Sequence, residues 1–198
     1  VTPDTTYEVP GKWTFDKGTE WERTIEDAFP HGTIPMSVRE ILVESSNIGT
    51  LLAAKEIESS TMEDYLRGFG LGEPTGLNFP RESDGQMVPS DRWSGSQKST
   101  VSYGYGFSTT SIQLAAAVNT VANGGVYVGP KLVRSVIGLD GELTASDPSP
   151  TRRVLEPGTA QQMVSMMTDV VCRGTAEKAR LDGVTVAGKT GTSRKVQE

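Results

Sequence analysis

The strongest constraint on this chain of 198 residues is the spacing of its helix-start and helix-stop signals, which cut it into short helical periods separated by glycine and proline. Ser37 and Glu40 form a capping-box pair, and Val38, Ile41, Leu42 and Ser45 follow at i, i+3, i+4 and i+7. This spacing predicts a helix with the Ser45 hydroxyl on its buried stripe. Asn47 reads as the cap of a second helix through Glu58, with Ile48, Leu51 and Leu52 on its apolar side. Thr61 and Asp64 form another capping pair, followed by Met62, Tyr65, Leu66 and Phe69 and stopped by Gly70. Thr110 and Gln113 cap a helix whose inward residues are Ile112, Ala115, Ala116 and Val118, closed by Gly124 and Gly125. Pro157 suits the first turn of the longest helix, where Met163, Met166, Met167, Val170 and Val171 recur at helical spacing before Gly174.

The remaining stretches are less regular. Residues 1–33 read as irregular with short strands, packing Trp13, Phe15 and Trp21 against other parts of the chain. Residues 70–100 carry so many glycines and prolines that they read as a surface excursion. Residues 131–139 suit a strand, with Gly141 turning a hairpin back towards Val154. Val184 to Thr192 is β-branched and alternating, and predicts a strand that carries Lys189.

Composition narrows the function classes. An apolar share of 35%, with 22 glycines beside it, suffices for a sizeable core in one domain. A net charge of -6 without a dense Lys/Arg run lacks the footprint of a nucleic-acid binder. The longest apolar stretches, such as Leu114 to Val118, fall far short of the roughly 20 residues that span a bilayer. A lone Cys172 and a lone His31, the latter in a Pro-His-Gly-Thr turn, argue against an internal disulfide and a metal cage, and no cofactor is expected. Catalysis here has to run without much histidine.

Two short patterns point to chemistry: Ser45-Ser46-Asn47 at a helix junction and Lys189-Thr190-Gly191-Thr192 on the final strand. By composition, Ser-Xaa-Asn arises by chance about 0.4 times and Lys-Thr-Gly about 0.1 times, so the pair is expected about 0.04 times. Taken singly, Ser45 reads as a helix-end hydroxyl, Asn47 as a cap and Lys189 as a solvated strand lysine. Together and in this order they resemble the second and third motifs of the penicillin-binding transpeptidases and serine β-lactamases. More of the chain agrees, including Phe69-Gly70-Leu71-Gly72, Ser102-Tyr103-Gly104-Tyr105-Gly106 and Ala122-Asn123-Gly124-Gly125. The ensemble, from about Ile34 to Thr192, resembles the class B division and elongation transpeptidases, most of all the septal enzyme.

The resemblance implies an α+β fold: a helix-rich lobe beside a central antiparallel sheet that is incomplete here. The family's nucleophile lies in Ser-Xaa-Xaa-Lys, and none of the 18 serines is followed three places later by Lys. With no initiator Met at Val1 and an end soon after the Lys-Thr-Gly run, residues 1–198 read as part of one transpeptidase domain cut at both ends. The implied activity is peptidoglycan D,D-transpeptidation through a serine acyl-enzyme, with stem peptides and β-lactams as ligands. The segment itself, lacking the nucleophile, is expected to be inactive and poorly soluble.

By the same resemblance Ser45, Asn47 and Lys189 are catalytic, and Thr190, Gly191, Thr192, Tyr103 and Tyr105 bind substrate. The parent protein is expected to be membrane-anchored, to act on the extracytoplasmic side of the bacterial cytoplasmic membrane and to work in a cell-wall synthesis complex. A serine β-lactamase and a non-catalytic β-lactam-sensing or peptidoglycan-binding domain are the rival readings. The class A β-lactamase form needs Glu-Xaa-Xaa-Xaa-Asn, and no Glu here stands four places before an Asn.

Overall fold

The computed structural model describes every residue except Asp16, Trp21, Asn78, Ser94, Gly95 and 192–198. In chain order the elements are strands β1 (Thr6–Val9), β2 (Lys12–Phe15), β3 (Arg23–Glu26) and β4 (Ile34–Ser37), then helices α1 (Val38–Glu44), α2 (Asn47–Ala54), α3 (Ser59–Gly68), α4 (Gln97–Ser102) and α5 (Ser111–Ala122). Strands β5 (Val126–Val128), β6 (Ser135–Ile137), β7 (Leu143–Ala145) and β8 (Thr151–Arg153) follow, and helix α6 (Pro157–Arg173) comes last. Packing divides them into two compact units, residues 1–62, 88–106 and 162–198 in the first and residues 63–87 and 107–161 in the second.

In the first unit, β1 pairs antiparallel with β4, setting Tyr7 opposite Met36, and β2 pairs antiparallel with β3, setting Trp13 opposite Ile25. Val9, Met36, Ile41 and Ile48 form a buried cluster, with Trp13, Ile25 and Phe29 packed on it. Of the aromatic residues expected to pack near the start, Trp13 and Phe15 are half-buried, while Trp21 lies outside the described residues. A second cluster, Val43, Val170, Val171 and Ala176, joins α1 to the end of α6 and receives Leu42 and Val186. Gly174 makes that approach possible, since a Cβ there would lie 2.6 Å from the Val43 carbonyl oxygen.

The second unit is built on local signals that the sequence states openly. Thr110 and Gln113 cap α5 reciprocally, and the wholly buried Gln113 amide donates to the carbonyls of Glu73 (2.7 Å) and Asp84 (2.9 Å). β5 pairs with β8, and the Arg152 guanidinium lies 3.7 Å from the centre of the Tyr127 ring. The same Arg152 donates to the carbonyls of Gly68 and Arg67, closing the C-terminus of α3. Gly70 takes φ +87° directly against Tyr127, a position where a side chain would be both strained and 2.7 Å from the ring.

Several expectations are corrected. The α+β character stands, and among the described residues the strands form four two-stranded antiparallel sheets. The hairpin turned at Gly141 pairs β6 with β7, and the stretch near Val154 instead pairs with β5, because the local two-strand closure outcompetes the longer return. α4 begins at the end of the segment read as a surface excursion, and Ala115 and Val118, expected on the inward side of α5, are exposed. The expected strand around Lys189 does not form among the described residues: Val184 makes only an isolated bridge with Leu181, and no neighbouring strand offers 185–191 a ladder.

Candidate functional site

The site is built on a helix end whose residue type is unusual. α1 begins at the predicted Ser37–Glu40 capping box and ends at Glu44, one residue short of the predicted stripe, with Ser45 as its C-cap. Ser45 takes φ 58°, ψ 40°, the left-handed conformation that closes helices and that glycine normally supplies. Its N–H donates to Leu42 O at 3.3 Å and the Ser46 N–H to Ile41 O at 3.0 Å, the paired bonds of a Schellman closure. A serine held there costs about 1–2 kcal/mol relative to the right-handed conformation. The Ser45 side chain is thus swung off the helix instead of lying on its buried stripe.

The next residue performs the capping assigned by sequence to Asn47. Ser46 is the N-cap of α2, its Oγ accepting from Gly49 N at 2.8 Å, and the helix ends at Ala54. Asn47, relieved of that duty, is the first residue of α2, half-buried and facing the cavity described next.

Lys189 arrives from the other side. Val186 packs on the Val43–Val170–Val171 cluster and Gly188 N donates to Met167 O at 3.1 Å, which fixes the approach of the extended segment to α6. The Lys189 ammonium donates to Ser45 Oγ at 2.7 Å and lies 3.1 Å from both the carbonyl and the hydroxyl oxygen of Thr190. The residue is open to solvent along much of its length, yet partial desolvation lowers its pKa from the ordinary 10.5. Thr190 Oγ also lies 3.0 Å from Thr175 Oγ, and Thr175 N donates to Val43 O at 3.2 Å.

These groups line one cavity of about 510 Å³, a size suited to a small ligand. Of the eight residues singled out by sequence, Ser45, Asn47, Tyr103, Tyr105, Lys189, Thr190 and Gly191 all line it. Thr192 lies outside the described residues. The Tyr103 and Tyr105 rings meet edge to face at 5.7 Å, and burial raises the Tyr103 phenol above its usual value. Sequence reasoning missed Glu26, Ala28, Thr50 and Ser102 in the lining. Ser102 stood within a quoted motif and was legible in principle; Glu26 and Ala28 belong to an irregular stretch with no periodic signal.

Relatives fit this geometry. Over residues 1–198 the sequence matches the family described as the penicillin binding protein transpeptidase domain. Penicillin-binding protein PbpB of Mycolicibacterium smegmatis is 38% identical over 201 residues, covering 98% of this chain and 30% of that protein. Peptidoglycan D,D-transpeptidase FtsI of Escherichia coli is 33% identical over 162 residues, covering 81% of this chain and 26% of FtsI. The crystal structure of penicillin binding protein 3 from Mycobacterium tuberculosis complexed with ampicillin superposes with a TM-score of 0.90 at 34% identity, over 99% of this chain and 44% of that one. The chain thus spans under a third of the length of these two curated relatives. With the family match running from the first residue to the last, the chain belongs to the penicillin-binding protein transpeptidase family.

Proposed function

We propose that this chain is part of one transpeptidase domain of a class B D,D-transpeptidase of the bacterial cell envelope, which cross-links peptidoglycan during cell division and is acylated by β-lactams. The observation that carries this reading is the 2.7 Å hydrogen bond from Lys189 to Ser45, which joins two motifs separated by 144 residues at one cavity. The name of FtsI and the ampicillin complex of penicillin binding protein 3 support the substrate and inhibitor classes.

The chemistry follows from the donors and acceptors. A serine hydroxyl from a Ser-Xaa-Xaa-Lys motif, which this chain does not contain, attacks the carbonyl carbon of a D-Ala-D-Ala peptide bond. The C–N bond breaks, the acyl group stays on the serine, and the departing amine takes a proton. Ser45 Oγ already accepts from Lys189, so its own O–H is free to serve that departing nitrogen. The amine of a second stem peptide then attacks the ester, forming the cross-link and returning the proton to the serine.

Asn47 hydrogen-bonds the substrate amide and orients the nucleophile's lysine. Lys189 and the Thr190 hydroxyl hold the substrate's terminal carboxylate, Gly191 keeps the approach open, and the Thr192 N–H is one oxyanion donor. Tyr103 and Tyr105 form the pocket wall. The complete protein is anchored in the cytoplasmic membrane, faces outward and works in a cell-wall synthesis complex.

Reaction with a fluorescent penicillin tests this reading. The complete protein is expected to label with one stable adduct per molecule, and the 198-residue segment alone is expected not to label. No adduct on the complete protein, or rapid hydrolysis of the reagent as in a β-lactamase, overturns the proposal.

A further inference from the structure

The proposed chemistry leaves one buried carboxylate without a task. Asp27 follows β3 directly, and its side chain is 0% exposed. A carboxylate so placed persists only where hydrogen bonds replace its lost hydration. Oδ1 accepts from the backbone N–H of Ile48 at 3.1 Å, and Oδ2 accepts from the Ser46 hydroxyl. The His31 ring, 6% exposed, adds Nε2 at 3.3 Å from Oδ2, while its Nδ1 lies 2.6 Å from Gly32 O and the ring stacks on Phe29 at 4.7 Å.

Both polar ties from Asp27 to α2 land on the residues that bracket Asn47. The Ile48 N–H belongs to the first turn of α2, where backbone donors lack helical partners, so the carboxylate also meets the favourable end of the helix dipole. Ser46 is held three ways, through Gly49 N to its Oγ, through its own hydroxyl to Asp27 and through its N–H to Ile41 O. It lies immediately after the left-handed Ser45, whose conformation survives only if the surroundings over-determine it.

We propose that Asp27 is a positioning residue for the transpeptidase reaction: by gripping Ser46 and Ile48 from inside the fold it fixes the left-handed turn that aims Ser45 at Lys189 and Asn47 into the cavity. This rests on the function proposed above. His31 adds a further contact to the same Oδ2 that accepts from Ser46. Without Asp27 the turn loses its two buried ties and Ser45 relaxes towards the ordinary helical conformation, which carries its hydroxyl away from Lys189.

The test uses the complete protein and the rate of acylation by a fluorescent penicillin, read together with the fraction of molecules that finally label. Asp27→Ala is expected to slow acylation at least about tenfold while labelling still reaches one adduct per molecule, as a displacement of catalytic groups does. Asp27→Asn, which keeps an acceptor for Ile48, is expected to recover part of that rate. An unchanged rate overturns the proposal, and so does a reduced labelled fraction at an unchanged rate, the signature of a purely structural role.

Should Asp27→Ala fail to fold, Ser46→Ala decides, because it leaves the carboxylate and its bond to Ile48 in place and removes the tie from Asp27 to the turn, together with the Ser46 cap on Gly49 N: a slowing of about threefold or more supports the proposal, and an unchanged rate overturns it. Should the wild-type protein fail to label, the function reading falls. The positioning claim is then judged by a crystal structure of Asp27→Ala, or of Ser46→Ala if the first variant does not fold. Retention of the 2.7 Å Ser45–Lys189 hydrogen bond overturns it, and its loss supports it.

Discussion

The turn carrying Ser45 and the stretch carrying Lys189 meet at one hydrogen bond, yet they are held by different means. The turn is fixed from within: Ile41, Ser46, Ile48 and Gly49 are all buried, and the hydrogen bonds that set its shape come from the Schellman closure, the Ser46 cap and Asp27. The Lys189 stretch is exposed, has no strand partner among the described residues, and is tied by the Gly188–Met167 backbone bond and the contact of Thr190 with Thr175. One half of the site is thus set by the core and the other by a few edge contacts. Under the proposed function, the difference means that the proton donor has its position held tightly, whereas the cation that assists it has a looser mount.

Breaking the contact from the exposed side gives the largest effect. Lys189→Met in the complete protein keeps the length of the side chain and removes the charge, and acylation by a fluorescent penicillin is expected to fall about a hundredfold or more. Hydrogen exchange sharpens the contrast next. The amides of Ser46, Ile48 and Gly49 are expected to exchange at least about a hundredfold more slowly than those of residues 185–187 and 189–191, with Gly188 between them.

A smaller effect separates two glycines. A Cβ on Gly49 would meet the buried Ile41 side chain at 2.5 Å, so Gly49→Ala should destabilise by about 1–2 kcal/mol, measured by thermal unfolding, despite alanine's better helix propensity. Gly191 has open space around it, and Gly191→Ala should change stability by less than about 0.5 kcal/mol.

The smallest expected effect is on pH dependence. Because desolvation lowers the Lys189 pKa, the ammonium is lost at a lower pH than from a free lysine, and the alkaline limb of the acylation profile should descend before 10.5. A limb at or above 10.5 contradicts the geometry. Between the lowered pKa and 10.5 the folded state binds fewer protons than the unfolded one, so stability rises slightly with pH there, with solvent exposure keeping the gain small.

What the sequence conveyed divides along the same line. Two of the three capping pairs, Ser37–Glu40 and Thr110–Gln113, and the long α6 were legible because a cap and an apolar period are local properties, whereas Thr61 and Asp64 lie inside α3, which begins at Ser59. The convergence of Ser45, Asn47 and Lys189 was legible through the joined motifs. The closure of α1 at Ser45 was not, since a serine in the left-handed region depends on ties from distant residues. The cap at Ser46 instead of Asn47 escaped for a similar reason: both types cap well, and Asp27, some twenty residues upstream, marks which one is turned inward. A strand at Lys189 was readable as a propensity, but propensity does not supply the neighbour that a ladder requires.

The left-handed Ser45 carries a consequence for anyone evolving this domain towards robustness. Glycine relieves the steric penalty at φ 58°, so Ser45→Gly should raise the melting temperature by the equivalent of about 1 kcal/mol while deleting the hydroxyl that meets Lys189. A selection that rewards heat resistance alone is therefore drawn to a tougher, silent protein, and thermal screens of this fold need an activity readout at every round.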